Sequence, residues 1–290
     1  MNLAHLAKTL SGDVAGRGRV LCPGPGHSAH DRSLSVTLSG RDFLVHSFAG
    51  DDWQTCRDYV REMLGLTETG RFTRPSETEL RQVREADEQY ARKQEARARE
   101  CWVEAVPISG TLAEVYLRGR VITCPLPETL RFHPRCYHPS TARLPAMVAM
   151  IEGAERFAIH RTYLDPVTRG KASIDPEKAM LGSVGGGAVR LNASGYRLVV
   201  CEGIETGLSL ASGLVNGSPT VWAGLSTSGM KRLVLPPQPG RLLIATDGDD
   251  SGRAAGNNLG ERAAALGWQV SLLPAPDGRD WNDVLKMKGN

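Results

Sequence analysis

Three short acidic blocks, each placed where a strand is expected to end, constrain this chain most. Glu202 follows the apolar run 198–201, an Asp-Gly-Asp-Asp block (247–250) follows the run 242–246, and Asp-Trp-Asn-Asp occupies 280–283. The ends of parallel strands gather along one edge of a sheet, where ligands bind. Carboxylates brought together there need a cation, and hard oxygen ligands favour Mg²⁺ or Mn²⁺. The blocks therefore predict an enzyme or regulator that acts on nucleotides or nucleic acid.

Size and composition set broad limits. The 290 residues suffice for two domains and a small module, and a net charge of +3 is too small to indicate a nucleic-acid partner by itself. No apolar run has membrane-spanning length and no secretory signal is visible, so we expect a cytoplasmic protein with no membrane partner. The six cysteines show no paired spacing, which predicts reduced thiols.

The C-terminal third alternates apolar strands with helices. The predicted strands are 197–201, 219–222, 241–246 and 268–273. The predicted helices are 204–214, 226–233, 252–266 and a short one from Trp281. This order predicts an α/β fold with a Rossmann-like parallel sheet covered on both faces.

The rest of the chain falls into three segments. Residues 1–66 contain a predicted hairpin, 33–38 with 43–46, followed by a helix from Trp53 to Leu64. Mixed charge at helical spacing predicts that 67–104 forms a solvated linker helix. The third segment mixes helix and strand and forms an α+β lobe. The predicted domains are thus 1–66, 67–104, 105–195 and 196–290.

Two carboxylates of the second block point to a metal ion. Asp247 and Asp249 are two residues apart beyond a buried strand, so extended geometry projects both the same way. Helix capping explains one acidic residue here and not three in four positions. We therefore assign metal binding to Asp247 and Asp249, and capping or substrate contact to Asp250.

The other acidic positions allow more than one interpretation. Glu202 lies at a strand end with no local structural explanation, and is either a metal ligand or a general acid/base whose pKa its neighbours raise. Glu205 opens the next helix, where a dipole contact alone would explain it. Asp280 is either an N-cap or, with Asp283, a contact to metal or triphosphate.

The motifs resemble a known family. Glu202-Gly-Ile-Glu-Thr-Gly, Asp247-Gly-Asp-Asp-Ser-Gly and Asp280-Trp-Asn-Asp are similar to the motifs of the Toprim domain, which bacterial-type primases, topoisomerases and some nucleases share. Over about 196–288, the sequences of these motifs resemble the Toprim units of phage and plasmid primases most closely. The resemblance implies that Asp247 and Asp249 hold Mg²⁺ or Mn²⁺ and that Glu202 completes the site.

The segment before the Toprim-like region also resembles its counterpart in plasmid and phage primases, where it forms the other wall of the catalytic cleft. The resemblance rests on Tyr116-Leu-Arg-Gly-Arg, His160-Arg-Thr-Tyr-Leu and Lys178-Ala-Met-Leu-Gly, among other short motifs. Its cations could contact triphosphate or template phosphates, or be ordinary surface charge. They are Arg118, Arg120, Arg131, Arg161, Lys171 and Lys178. Binding is favoured for Arg161 with Lys171.

The N-terminal segment resembles half of a primase zinc ribbon, through Cys22-Pro-Gly-Pro-Gly-His27. The ligand set available for Zn²⁺ departs from the family's spacing. It is Cys22, His27, His46 and Cys56, with His30 as a spare. The alternative is a ribbon-like fold without metal, held by its hairpin and Trp53.

These observations lead to a DNA primase-type nucleotidyltransferase of a phage, plasmid or other mobile element. It would make short primers for DNA replication on single-stranded DNA from nucleoside triphosphates, with a replicative helicase as a further partner. A Toprim nuclease, with Glu202 as general acid/base, is the second hypothesis. A topoisomerase would need a further tyrosine-bearing domain, for which 290 residues leave no room. A non-catalytic DNA-binding accessory protein is the third.

Overall fold

The computed structural model describes residues 3–15, 18–29, 31–39, 42–66, 77–193, 195 and 197–288. The chain divides into two compact units, Met1–Gln89 and Tyr90–Asn290, and the division falls inside a long helix, α3 (Glu77–Glu104). Residues 67–76 of the predicted linker and the spare ligand His30 lie outside the described residues. Within the described ranges, no helix is both long and apolar enough to cross a bilayer.

The first unit is a small antiparallel sheet with two helices. Its elements are α1 (Leu3–Thr9), β1 (Asp13–Val14), β2 (Arg19–Cys22), β3 (Leu34–Ser39), β4 (Asp42–Ser47) and α2 (Trp53–Met63). The four strands pair in sequence order, and β3 and β4 form the predicted hairpin, so that prediction is confirmed. Asp52 caps α2 by accepting a hydrogen bond from the Thr55 amide at 2.9 Å.

The second unit begins with an antiparallel sheet. Its elements are β5 (Val106–Pro107), α4 (Leu112–Gly119), β6 (Leu130–Tyr137), β7 (Arg143–Ile151), β8 (Ala158–Tyr163) and β9 (Lys178–Leu181). The strands pair in sequence order, and the consecutive strands β7 and β8 form an antiparallel hairpin. The end of α3 packs on this sheet through Ala98, and Ala105, which directly follows the helix, belongs to the same cluster with Val148 and Ile159.

A second, mostly parallel sheet follows. Its elements are β10 (Val189–Ala193), β11 (Arg197–Cys201), α5 (Ile204–Ser209), β12 (Thr220–Ala223), α6 (Thr227–Arg232), β13 (Arg241–Thr246), α7 (Asp250–Ala265), β14 (Gln269–Pro274) and α8 (Trp281–Lys288). The strand order is β10-β12-β11-β13-β14, and every pair except β10 with β12 is parallel. The predicted α/β class with a C-terminal parallel sheet is therefore confirmed.

Two details differ from the sequence expectation. The sheet gains β10 as an antiparallel edge strand, from a stretch that we placed in the preceding lobe. The first helix of this region ends at Ser209 instead of continuing to 214. A wider turn follows, because Gly213 has a φ of 105°, a conformation that a helix cannot contain.

The parallel sheet is covered on both faces because its strands alternate their side chains. In β11, Leu198 and Val200 point to the cluster that includes α6 and α7. Val199 and Cys201 point to the other cluster, which α5 and the preceding lobe share. This second cluster also contains Leu117 of α4, so both sheets of the second unit are built around one apolar core.

Leu208→Ala tests this shared core. Leu208 is 0% exposed within it. Its truncation leaves a cavity, and we expect the free energy of unfolding to fall by about 2–5 kcal/mol. Urea denaturation followed by circular dichroism measures this loss. Leu266→Ala is the matched control, because Leu266 is 57% exposed and its truncation should cost less than about 0.5 kcal/mol. Equal losses in the two variants would contradict the packing described.

Candidate active site

Glu202 and Asp247 follow the ends of neighbouring parallel strands. Cys201, the last residue of β11, lies opposite Ala245 of β13, and each carboxylate comes one or two residues later. The two side chains therefore belong to the same edge of the sheet, as the sequence predicts. Glu202 and Asp247 are both partly buried at this edge.

The turn after β13 is held against the segment that carries the third acidic block. Gly248 donates to the carbonyl of Arg279 at 2.8 Å, and Gly278 donates to the carbonyl of Gly248 at 2.9 Å. A Cβ atom at Gly248 would overlap the carbonyl oxygen of Pro276, so the close approach requires glycine. This pairing brings the Asp280 segment to the Asp247 turn.

Asp249, not Asp250, caps α7. The Oδ1 of Asp249 accepts from the Gly252 amide at 2.6 Å and from the Ser251 hydroxyl at 3.0 Å. The Asp250 side chain is fully exposed. Asp250 therefore does not supply the cap, because the helix begins at Asp250, two residues before the predicted start, and Asp249 keeps the extended backbone of an N-cap. The alternative for Asp250, a contact with substrate, stays a prediction.

Asp280 and Asp283 cap the last helix together. The Asp283 amide donates to Oδ1 of Asp280 at 2.8 Å, and the Asp280 amide donates to Oδ2 of Asp283 at 3.4 Å. This reciprocal arrangement satisfies two backbone donors at the start of α8. The capping interpretation of Asp280 therefore describes its local contacts, and its charge also acts on Asp247.

We call the edge of the sheet that carries Glu202, Asp247, Asp249 and Asp280 the acidic edge. Neighbouring cations do not fully compensate its negative charge. Burial, with the charges of Asp247 and Asp249, raises the pKa of Glu202 to about 7. Burial, with the charges of Asp280 and Asp249, raises the pKa of Asp247 to about 6. A hydrogen bond from the Thr206 hydroxyl to Asp247, at 3.4 Å, opposes the second shift only partly. In both cases burial of the carboxylate is the larger cause, and repulsion by the neighbouring carboxylates adds to it.

The donor chemistry of this edge fits a divalent cation. Glu202, Asp247 and Asp249 offer only hard carboxylate oxygens, and a cation would relieve the repulsion that raises the two pKa values. In the part of the chain that the structure describes, however, no three His, Cys, Asp or Glu side chains are grouped closely enough for a metal ion. Coordination by all three residues would therefore need side-chain adjustment.

Two lysines of the preceding lobe approach this edge. Lys178 donates to Glu205 at 3.3 Å, and its charge lowers the pKa values of both Glu202 and Asp247. Lys171 lies 3.7 Å from Glu177. Lys171 lines a cavity of about 840 Å³ whose wall also includes Arg118, Arg120, Thr168 and Arg169. The structure thus brings a basic surface and the acidic edge into one unit.

Two other predicted phosphate contacts are engaged by the protein itself. Arg161 is 4% exposed and donates to the carbonyls of Tyr137 and Met180 at 2.7 and 3.2 Å. Arg118 pairs with Glu114 at 3.1 Å and donates to two carbonyls of the following turn. Both guanidinium groups therefore hold backbone segments in place.

Sequence reasoning missed two buried polar residues. Asn282 is 0% exposed and donates to the Arg120 carbonyl and to the Ser209 hydroxyl, each at 2.9 Å. Glu205 is 5% exposed and accepts from Tyr116 as well as from Lys178. Both lie inside the acidic motifs, where several neighbouring residues are also polar, so no local pattern indicates that these two are buried.

The predicted zinc ligands have other surroundings in the first unit. Burial raises the pKa of Cys22 to about 12 and that of Cys56 to about 11, and both thiols belong to the apolar core. His27 contacts Asp31 through one ring nitrogen and Asp51 through the other, at 3.1 Å for Asp51. His46 packs edge-on against Phe48. Zinc binding stays a prediction, and the engagement of both His27 nitrogens argues against this ligand set.

The raised pKa values predict how stability depends on pH. The folded protein holds the Glu202 and Asp247 protons more tightly than the unfolded chain, whose ordinary pKa values are 4.5 and 3.8. Stability without metal should therefore fall as pH rises from about 4 to about 7. Glu202→Gln removes part of this penalty, and we expect it to stabilise the protein by about 1–3 kcal/mol near pH 8.

Urea denaturation in a chelating buffer at about pH 5 and pH 8 measures the effect. Asp250→Asn is the matched control, because this carboxylate belongs to the acidic block that contains Asp247 but is fully exposed. A destabilising Glu202→Gln substitution at high pH would contradict the repulsion described here.

Two domain families match the second unit. Residues 92–191 match a family described as a domain of unknown function (DUF7146), and residues 197–290 match the Toprim domain. The first match ends inside β10, and the second begins at the first residue of β11. None of the curated proteins matches the sequence.

Solved primase structures are also similar to the chain. A DNA primase domain from Pseudomonas aeruginosa is 18% identical over 62% of this chain and 68% of its own, with a TM-score of 0.41. The zinc-binding and RNA polymerase domains of the Aquifex aeolicus primase are 15% identical over 99% of this chain and 80% of theirs, with a TM-score of 0.42. We base no argument about activity on likenesses at this level. The match of residues 197–290 to the Toprim domain is independent of these structures.

Proposed function

We propose that this chain is a divalent-metal-dependent nucleotidyltransferase of the primase type, which makes short primers on single-stranded DNA from nucleoside triphosphates. The observation that carries the proposal is the raised pKa of Glu202 and Asp247 at the edge of a Toprim sheet. Charge that the protein leaves uncompensated there is suited to a cation that arrives with a substrate. Toprim domains generally bind such ions.

The proposed roles follow from the positions of the side chains. Glu202, Asp247 and Asp249 would hold Mg²⁺ or Mn²⁺, which when bound stabilises charge on phosphoryl oxygens and favours ionisation of an attacking hydroxyl. Asp280 adds negative charge beside Asp247 and orders α8. Asp283 acts through the same cap, so we propose no direct substrate contact for it.

The lysines of the preceding lobe supply the opposite charge. Lys171 lines the cavity, Lys178 acts electrostatically on the acidic edge, and both are proposed to contact phosphates of triphosphate or template. Arg118 and Arg161 are proposed to shape the cleft, because carbonyl groups take up their donors. The four-segment domain division, an origin in a phage or plasmid, and a helicase partner stay predictions.

A metal-dependent nuclease is the second candidate, and one observation favours it. A carboxyl group with a pKa of about 7 is suited to transfer protons near neutral pH, so Glu202 could serve as general acid/base on a phosphodiester. Such an enzyme needs the metal but consumes no nucleotides.

Primer synthesis on single-stranded DNA distinguishes these functions. With labelled nucleotides and Mg²⁺ or Mn²⁺, we expect the wild type to make short products. Asp247→Asn should reduce the rate on the order of a hundredfold or more, because it removes a charged ligand of the metal. Asp250→Asn, the matched control on the exposed neighbour, should stay near the wild-type rate.

The template is recovered and sized in the same reactions. Template cleavage without nucleotide incorporation would replace the primase proposal by the nuclease. Neither synthesis nor cleavage, with DNA binding retained, would identify a non-catalytic accessory protein.

A further inference from the structure

Glu205 is the most deeply buried carboxylate near the candidate site, and its contacts cross the unit. It lies in the first turn of α5, three residues after Glu202, and is 5% exposed. Its Oε1 accepts from the Tyr116 hydroxyl of α4 at 2.8 Å, and its Oε2 accepts from Lys178 of β9 at 3.3 Å. One carboxylate therefore joins three elements.

A contact with the helix dipole does not explain this arrangement. A dipole partner at a helix start needs only solvent and nearby amides, and it gains little from burial. Glu205 instead stays ionised although its side chain is buried. Burial alone would raise the pKa of Glu205, but the charges of Lys178 and Lys171 hold it well below its usual range, with smaller contributions from a hydrogen bond to its own backbone amide and from the Tyr116 hydrogen bond. The ionised carboxylate is therefore stabilised by its partners, Lys178 and Tyr116.

Lys178 is the partner that faces the acidic edge. Its positive charge lowers the pKa values of Glu202 and Asp247, so the ammonium lies within electrostatic reach of both. Its side chain is 35% exposed, whereas that of Glu205 is 7% exposed. The ammonium is thus anchored on its buried side and accessible on the other.

The charge of Lys171 explains why Lys178 needs the contact with Glu205 to keep its position. Burial and the charge of Lys178 lower the pKa of Lys171, while Glu205 and Glu177 oppose that shift. The two lysines therefore repel each other, and Glu205 is a buried counter-charge that contacts Lys178 and acts on Lys171 through its charge. Without it, no buried carboxylate would offset the repulsion between the two ammonium groups, and the flexible Lys178 side chain would lose the contact that fixes its position.

We propose that Glu205, itself oriented by Tyr116, is a positioning residue that holds the Lys178 ammonium at the acidic edge, where it meets the phosphate oxygens of a nucleoside triphosphate. This inference rests on the proposed function for its substrate class. Glu205 touches neither substrate nor metal; it acts through Lys178. A purely structural ion pair between α5 and β9 is the competing explanation.

Glu205→Gln tests the proposal, because the amide keeps an acceptor for Tyr116 and removes the charge that holds Lys178. In primer synthesis we expect the KM for nucleotide to rise about tenfold, with a much smaller change in kcat. Lys178→Met should raise KM at least as much. The double variant should be no worse than Lys178→Met alone, because Glu205 acts only through that lysine.

Glu152→Gln is the matched control. Glu152 also forms an ion pair in this unit, with Arg190 at 3.7 Å, but outside the cavity and the acidic edge. Its KM should stay within about twofold of the wild type. If Glu205→Gln does not fold, Tyr116→Phe tests the same anchor by removing one hydrogen bond, with an expected rise in KM of about threefold.

Calorimetric binding of ATP with Mg²⁺ separates this inference from the proposed function. If the wild type makes no primers but binds ATP, and Glu205→Gln weakens that binding only when Lys178 is present, the positioning role stands and the primase proposal fails. Additive effects of the two substitutions, an unchanged ATP affinity in Glu205→Gln, or no ATP binding by the wild type would each overturn the positioning role.

Discussion

The candidate site of the second unit depends on one constraint: partly buried carboxylates that repel one another lie at the same edge of its parallel sheet. Glu202 and Asp247 are brought together by the register of β11 and β13, and each has a raised pKa because it is partly buried and because other acidic groups lie close by. A fold tolerates such repulsion only where the surrounding packing fixes it. The shared apolar core beneath α5 and α4 supplies that packing.

Two buried polar residues, Glu205 and Asn282, form hydrogen bonds that join elements on opposite sides of the core. Glu205 ties α5 to α4 and β9, and Asn282 ties α8 to the end of α4 and to α5. The contacts with Tyr116, Lys178 and Arg120 connect the region that matches the Toprim domain to the segment before it. The acidic edge and the basic surface are therefore held in one rigid frame, which a site for two oppositely charged groups requires.

Local patterns were sufficient to predict the strands and the acidic edge. Apolar runs that end in carboxylates specify where β11 and β13 stop, so Glu202 and Asp247 could be placed from sequence. The cap of α7 could not be placed to the residue, because Asp249 and Asp250 differ only in backbone conformation. The role of Glu205 was out of reach, since Tyr116 lies 89 positions away and nothing local indicates the contact.

The edge strand β10 has a consequence for how this protein can be divided. It pairs with β12 inside the Toprim sheet, yet it precedes the residues that match the Toprim family. A fragment cut at that family boundary would lose this partner, and the backbone groups of β12 that β10 now satisfies would become open to pairing with another molecule. Fragments meant to remain monomeric must therefore start upstream of Val189, and recombination between related proteins would have to carry both segments together.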